Sequence, residues 1–74
     1  MKIQDLILFV RTADTGSITA AADQLDISPA AASAGLKRLE KQLTVELFIR
    51  STRRLRITAE GERYLLHCRQ ALAS

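Results

Sequence analysis

Seventy-four residues make one small domain, since a chain of this size buries only about 60% of its unfolded surface and has no room for a large substrate cleft. Hydrophobic residues make up 47% of it, yet only Phe9, Phe48 and Tyr64 are aromatic, so an aliphatic helical core is expected. The net charge is +3, the lone Cys68 has no disulfide or zinc partner, and no apolar run approaches the roughly 20 residues of a membrane span; a cytosolic domain without metal, cofactor or export signal is expected.

Ile3, Leu6, Ile7, Val10 and Ala13 recur at helical spacing, and Gly16 can take the left-handed conformation past the helix end, which predicts a first helix over about residues 3–14. Ser17 can cap a second helix carrying Ile18, Ala21, Ala22 and Leu25. The segment Leu25-Asp26-Ile27-Ser28 is long enough only for a tight turn, with Asp23 and Asp26 expected to cap or solvate it. Ser28-Pro29 has the N-cap and N1-proline order that starts a third helix over about 29–43. This is helix-turn-helix spacing, with Ala32, Leu36, Leu39 and Leu43 as the buried stripe of the third helix. Gly35, costly inside a helix, marks close approach either to the second helix or to a ligand.

Past Thr44 the period changes from 3.6 to 2. Leu47-Phe48-Ile49-Arg50 and Leu55-Arg56-Ile57 read as short strands around the polar turn Ser51-Thr52-Arg53-Arg54. Thr58 can cap a last helix from Ala59 to about Ala73, with Glu60 and Glu62 at its positive end. That helix carries apolar residues on more than one face, so it should pack on its own domain and on something else. His67 and Cys68 point about 100° apart on it and have no third ligand nearby, which favours packing or exposure over metal binding.

Charge is uneven along the chain. Residues 1–36 carry Lys2 and Arg11 against Asp5, Asp14, Asp23 and Asp26, a net of −2, and residues 57–74 are balanced. Residues 37–56 hold Lys37, Arg38, Lys41, Arg50, Arg53, Arg54 and Arg56 against Glu40 and Glu46, a net of +5. Such a patch attracts a polyanion. The outer face of the third helix offers small residues first and cations after them, as a helix in the DNA major groove requires. Candidate base-reading residues are Pro29, Ala30, Ser33, Ala34 and Lys37. Candidate backbone and wing contacts are Ser28, Arg38, Lys41, Arg50, Arg53, Arg54 and Arg56. A module used only for protein–protein interaction is the competing reading; the cations argue against it, because interface cores are depleted of lysine and favour aromatic anchors. An enzyme would need a nucleophile–base pair and a cleft that this chain lacks.

Phe9-Val10, Gly16-Ser17-Ile18, Ala21-Ala22, Leu25-Asp26-Ile27-Ser28, Ala31, Ser33, Leu39-Glu40, Leu43, Leu47-Phe48-Ile49-Arg50, Arg53 and Ile57-Thr58-Ala59-Glu60-Gly61 fall in an order that resembles the N-terminal domain of LysR-type bacterial transcriptional regulators. The resemblance implies a mainly α, winged helix-turn-helix fold: a three-helix core, a two-stranded hairpin wing and a C-terminal linker helix. It implies a DNA-binding domain over 1–58 and the start of a dimerisation helix over 59–74, with Tyr64, Leu65, Cys68 and Leu72 on the pairing face. It further implies a homodimer on an imperfect inverted repeat of double-stranded DNA, a tetrameric parent, and a small-molecule effector bound only by a C-terminal domain that lies outside this chain. Departures cluster at the reading helix. The family commonly has Ser-Gln-Pro-Ala-Val-Ser followed by a basic residue and Gln, whereas this chain has Ser28-Pro29-Ala30-Ala31-Ala32-Ser33-Ala34-Gly35. Hydrogen-bond readout is therefore expected to be sparse, and Thr44 stands where the family usually has a turn glycine.

Overall fold

The computed structural model describes residues 2–51 and 54–73. Helix α1 (Ile3–Thr15) ends at Gly16, whose left-handed backbone (φ 71°) turns its N–H onto the Thr12 carbonyl at 2.9 Å. Ser17 then starts α2 (Ile18–Gln24), its hydroxyl accepting from the Ala20 N–H at 3.1 Å. The turn closes through Asp26, which takes the left-handed position (φ 61°) so that the Ile27 N–H reaches the Ala22 carbonyl at 3.0 Å. Asp is among the few side chains that tolerate this conformation. Ser28 caps α3 (Pro29–Leu43), with Pro29 in its first turn where the missing N–H costs nothing.

Strands β1 (Phe48–Arg50) and β2 (Leu55–Ile57) pair antiparallel in the register Phe48 with Ile57, Ile49 with Arg56 and Arg50 with Leu55. Thr52 and Arg53, part of the turn expected from the sequence, lie outside the described residues. Helix α4 (Ala59–Ala73) follows, its first turn capped by the Thr58 hydroxyl, which accepts from the Gly61 N–H at 2.9 Å.

The three N-terminal helices pack on one another, and α4 lies against α1. Phe9, Leu36, Leu39 and Leu47 fill the centre, and Ala21, Ala22 and Ala32 let the helices approach closely. Phe9 meets Phe48 edge-on (centroids 5.4 Å apart) and Tyr64 at 5.7 Å, so one ring joins α1, the wing and α4. Burying a side chain of this size contributes about 1.5–3 kcal/mol.

Two details differ from the sequence reading. The buried stripe of α1 is Asp5, Leu8, Phe9 and Thr12, with Leu6, Ile7, Val10 and Ala13 only half-buried and Ile3 exposed. Leu8 lies apart from the stripe of Ile3, Leu6, Ile7, Val10 and Ala13, and two polar residues fall on the buried side, so periodicity alone did not fix the phase of the helix. Two polar groups lie on the buried side because each has a partner: Thr12 donates to the Leu8 carbonyl at 2.7 Å, and Asp5 pairs with Arg38. Gly35 is buried, and a Cβ there would lie 2.8 Å from Leu8 Cδ2, so it marks a close approach of α3 to α1.

No helix among the described residues is long and apolar enough to cross a membrane.

Candidate nucleic-acid interface

Helix α3 presents Pro29, Ala30 and Ala34 to solvent, followed by Lys37 and Lys41, with Ser33 half-buried beside them. Ala34, Lys37, Arg38, Lys41 and Gln42 line one surface hollow, so an alanine methyl and the cationic side chains share one stretch of surface. A methyl at that point lets a base edge come near the helix backbone, and ammonium groups beyond it suit phosphates.

The wing carries Arg50, Arg54 and Arg56, all exposed. Its turn is held by Ser51, whose N–H and hydroxyl both donate to the Arg54 carbonyl (3.1 and 2.8 Å). Arg50 and Arg54 share a hollow with Gly16, Ser17 and Ile18, which brings wing cations beside the start of α2. Arg53 lies outside the described residues.

Arg38 is placed differently from the other cations. It was expected at the DNA backbone, but its Nε and one terminal nitrogen bind the two carboxylate oxygens of Asp5 at 3.0 and 2.9 Å. The hydrogen bonds it donates to Asp5, and then the charge of that carboxylate, raise the guanidinium further above its ordinary pKa. Ser28 likewise has a structural duty, since its hydroxyl accepts from the Ala31 N–H at 3.0 Å.

On α4 the sequence places Tyr64, Leu65, Cys68 and Leu72 on a pairing face, and of these four Cys68 alone is buried within its own domain. Cys68 is 3% exposed and belongs to the core of its own domain, while the half-buried Tyr64 meets Phe9 at a tilt and the half-buried Leu65 packs against the same core. The apolar side chains directed outward are Leu66 (60% exposed) and Leu72 (36%). Burial first pushes the Cys68 thiol up, with a hydrogen bond from Tyr64 partly opposing this.

Sequence reasoning missed Glu40. Its carboxylate accepts from the N–H groups of Leu47 (2.7 Å) and Phe48 (3.2 Å), tying the wing to α3. The available signal was a glutamate directly beside the buried Leu39, seven residues before the wing.

A tight helix-turn-helix, a small-residue reading helix with a basic second half and an arginine-bearing hairpin together define a winged helix-turn-helix DNA-binding domain. The chain belongs to the family described as bacterial regulatory helix-turn-helix protein, lysR family, which it matches over residues 3–62. It is thus a LysR-type DNA-binding domain of the transcription-regulator class, and not an enzyme. It is 41% identical over 70 residues to the probable HTH-type transcriptional regulator LtrA of Klebsiella pneumoniae, covering 95% of this chain and 23% of that protein. It is 39% identical over 69 residues to the HTH-type transcriptional regulator CrgA of Neisseria meningitidis serogroup B, covering 93% and 23%. The chain therefore spans about a quarter of the length of the curated relatives it matches. Among solved structures, the CbnR DNA-binding domain in complex with DNA superposes with a TM-score of 0.94 at 33% identity, covering 99% of this chain and 84% of that one. The BenM DNA-binding domain bound to benA site 1 DNA gives 0.93 at 30% identity, covering 99% and 82%.

Proposed function

We propose that this domain reads double-stranded DNA as one half of a homodimer, within a cytoplasmic transcriptional regulator. Helix α3 enters the major groove, with Pro29, Ala30, Ser33, Ala34 and Lys37 at base edges and Ser28, Lys41, Arg50, Arg54 and Arg56 on the backbone. Arg53 belongs to the same group by its place in the sequence. Arg38 contributes charge at a distance, because Asp5 occupies its guanidinium. The observation that carries this reading is the order along α3, small exposed residues and then lysines, on a domain that superposes on CbnR and BenM domains solved with DNA.

Helix α4 belongs to a linker helix that pairs two copies and sets the half-sites of an imperfect inverted repeat. Leu66 and Leu72 are its outward apolar residues. A tetrameric parent with an effector-binding domain completes the proposal.

The test is a fluorescence-anisotropy titration against random duplex DNA at two salt concentrations, followed by sequencing of the retained fraction. A dimer neutralising about eight phosphates gives a slope of log K against log salt near −7. Enrichment of an inverted repeat supports sequence reading, whereas affinity independent of salt, or no binding at low salt, overturns the proposal.

A further inference from the structure

Glu40 sits in the last turns of α3, among the basic residues, yet its side chain is only 12% exposed. One carboxylate oxygen accepts from the N–H groups of Leu47 at 2.7 Å and Phe48 at 3.2 Å. The other meets the Arg50 guanidinium at 3.3 Å. The Leu47 carbonyl accepts in turn from the Thr58 N–H at 2.9 Å, and the Leu47 side chain is fully buried. The base of the wing is therefore clamped between α3 and the start of α4, and charge-assisted bonds hold the α3 side of that clamp.

We propose that Glu40 is a positioning residue for DNA recognition, fixing the angle between reading helix and wing and holding the Arg50 guanidinium at the base of the wing. This rests on the docking of α3 and the wing proposed above. Glu40 brings a negative charge into a surface that is to meet phosphates, so on charge alone it opposes binding to any DNA. Its favourable effect is geometric: helix and wing meet groove and backbone at one fixed spacing, and only a sequence in the right register profits from that. Loss of Glu40 thus has opposite effects on the two kinds of DNA. Random duplex gains from one less negative charge per chain, and the preferred duplex loses its match.

The experiment compares wild type, Glu40→Ala and Glu40→Gln on the duplex enriched from the random pool and on its scrambled counterpart. Each is measured at a temperature where circular dichroism shows the variant fully folded. In Glu40→Ala the ratio of affinities for the two duplexes falls on the order of tenfold, equivalent to about 1.4 kcal/mol. Glu40→Gln keeps an acceptor for the Leu47 N–H and restores most of the ratio, while binding scrambled DNA more tightly than wild type. A purely structural role would weaken both duplexes alike, and an unchanged ratio in Glu40→Ala overturns the proposal. If Glu40→Ala does not fold, Glu40→Asp decides: it keeps the charge on a side chain too short to hold the Leu47 and Phe48 N–H groups and Arg50 together, so a ratio lowered several-fold supports the proposal and an unchanged ratio overturns it. Wild type that binds neither duplex removes the docking itself, whereas wild type that binds with a ratio insensitive to Glu40 removes only the positioning role.

Discussion

Asp5 in α1 and Arg38 in α3 form a two-pronged ion pair at 3.0 and 2.9 Å, with the Asp5 side chain 4% exposed and the Arg38 side chain 45% exposed. Together with the close contact at Gly35, the pair fixes the reading helix on α1. The two members are not equivalent. Removing Arg38 strands a buried acid, while removing Asp5 leaves a guanidinium that water can reach. Arg38→Ala should therefore lower the melting temperature more than Asp5→Ala at neutral pH, and the double variant should melt above Arg38→Ala. Thermal melts of the three variants check this, and the reverse order would show that the carboxylate is not the buried member that matters. On DNA, Arg38→Ala should change the salt slope less than Lys41→Ala.

The helix-turn-helix was legible because each boundary is chemically marked: Gly16, Ser17, and Ser28 followed by Pro29. The wing was legible from the change of period at Leu47. What escaped were the polar groups that fasten elements far apart in sequence. Arg38 lies among cations along α3, and nothing local to it points to Asp5, 33 residues away. Glu40 reads as a solvated charge until β1 folds back to offer two N–H groups. The burial of Cys68 escaped for a related reason: a helix apolar on several sides does not reveal which side its own domain takes.

Thr44 ends α3 in the left-handed conformation (φ 57°), which a β-branched residue adopts at a cost. Releasing that strain favours the folded state by about 1 kcal/mol, so Thr44→Gly should raise the melting temperature, by less than the about 4–8 °C that the full amount would give in a domain of this size. The glycine also frees the unfolded chain, which offsets part of the gain. Calorimetry reads the difference, and a melting temperature at or below that of wild type would mean the turn carries no such strain.

Gly61 and Gly35 should respond differently to alanine. At Gly61 a Cβ would lie 2.3 Å from the Leu47 carbonyl oxygen and 2.7 Å from Ile57 Cγ1, so backbone at the base of the wing must move. Gly61→Ala should cost about 1–3 kcal/mol or more. At Gly35 the tightest neighbour is the end of the Leu8 side chain, and about 1 kcal/mol of helix propensity works in favour of alanine. Urea denaturation should therefore find Gly61→Ala clearly less stable than Gly35→Ala.

Burial raises both the Cys68 thiol, ordinarily at 9.0, and the Tyr64 phenol, ordinarily at 10.0, and Cys68 adds to the Tyr64 shift. A group whose folded pKa is raised contributes stability that is fully present below its unfolded pKa and is lost as pH rises through the folded one. Stability should thus be level from neutrality to about pH 9 and decline above it. Cys68→Ala removes the thiol and lightens the burden on Tyr64, so its alkaline decline should be shallower. Urea midpoints across this range measure it, and parallel declines in the two proteins would show that the thiol plays no part.

The two outward leucines of α4 separate folding from pairing. Leu66 makes little use of the domain's own core, whereas Cys68, on the opposite side of the helix, is sealed within it. A charge at Leu66 should therefore leave the isolated fold intact and act only between copies. Leu66→Glu is expected to shift sedimentation equilibrium toward monomer while the melting temperature of dilute protein stays near that of wild type. In the proposed dimer the same variant should flatten the salt dependence of DNA binding toward the value for half the phosphates, because each chain then binds alone. Self-association unaffected by Leu66→Glu would place the pairing surface elsewhere than on this face of α4.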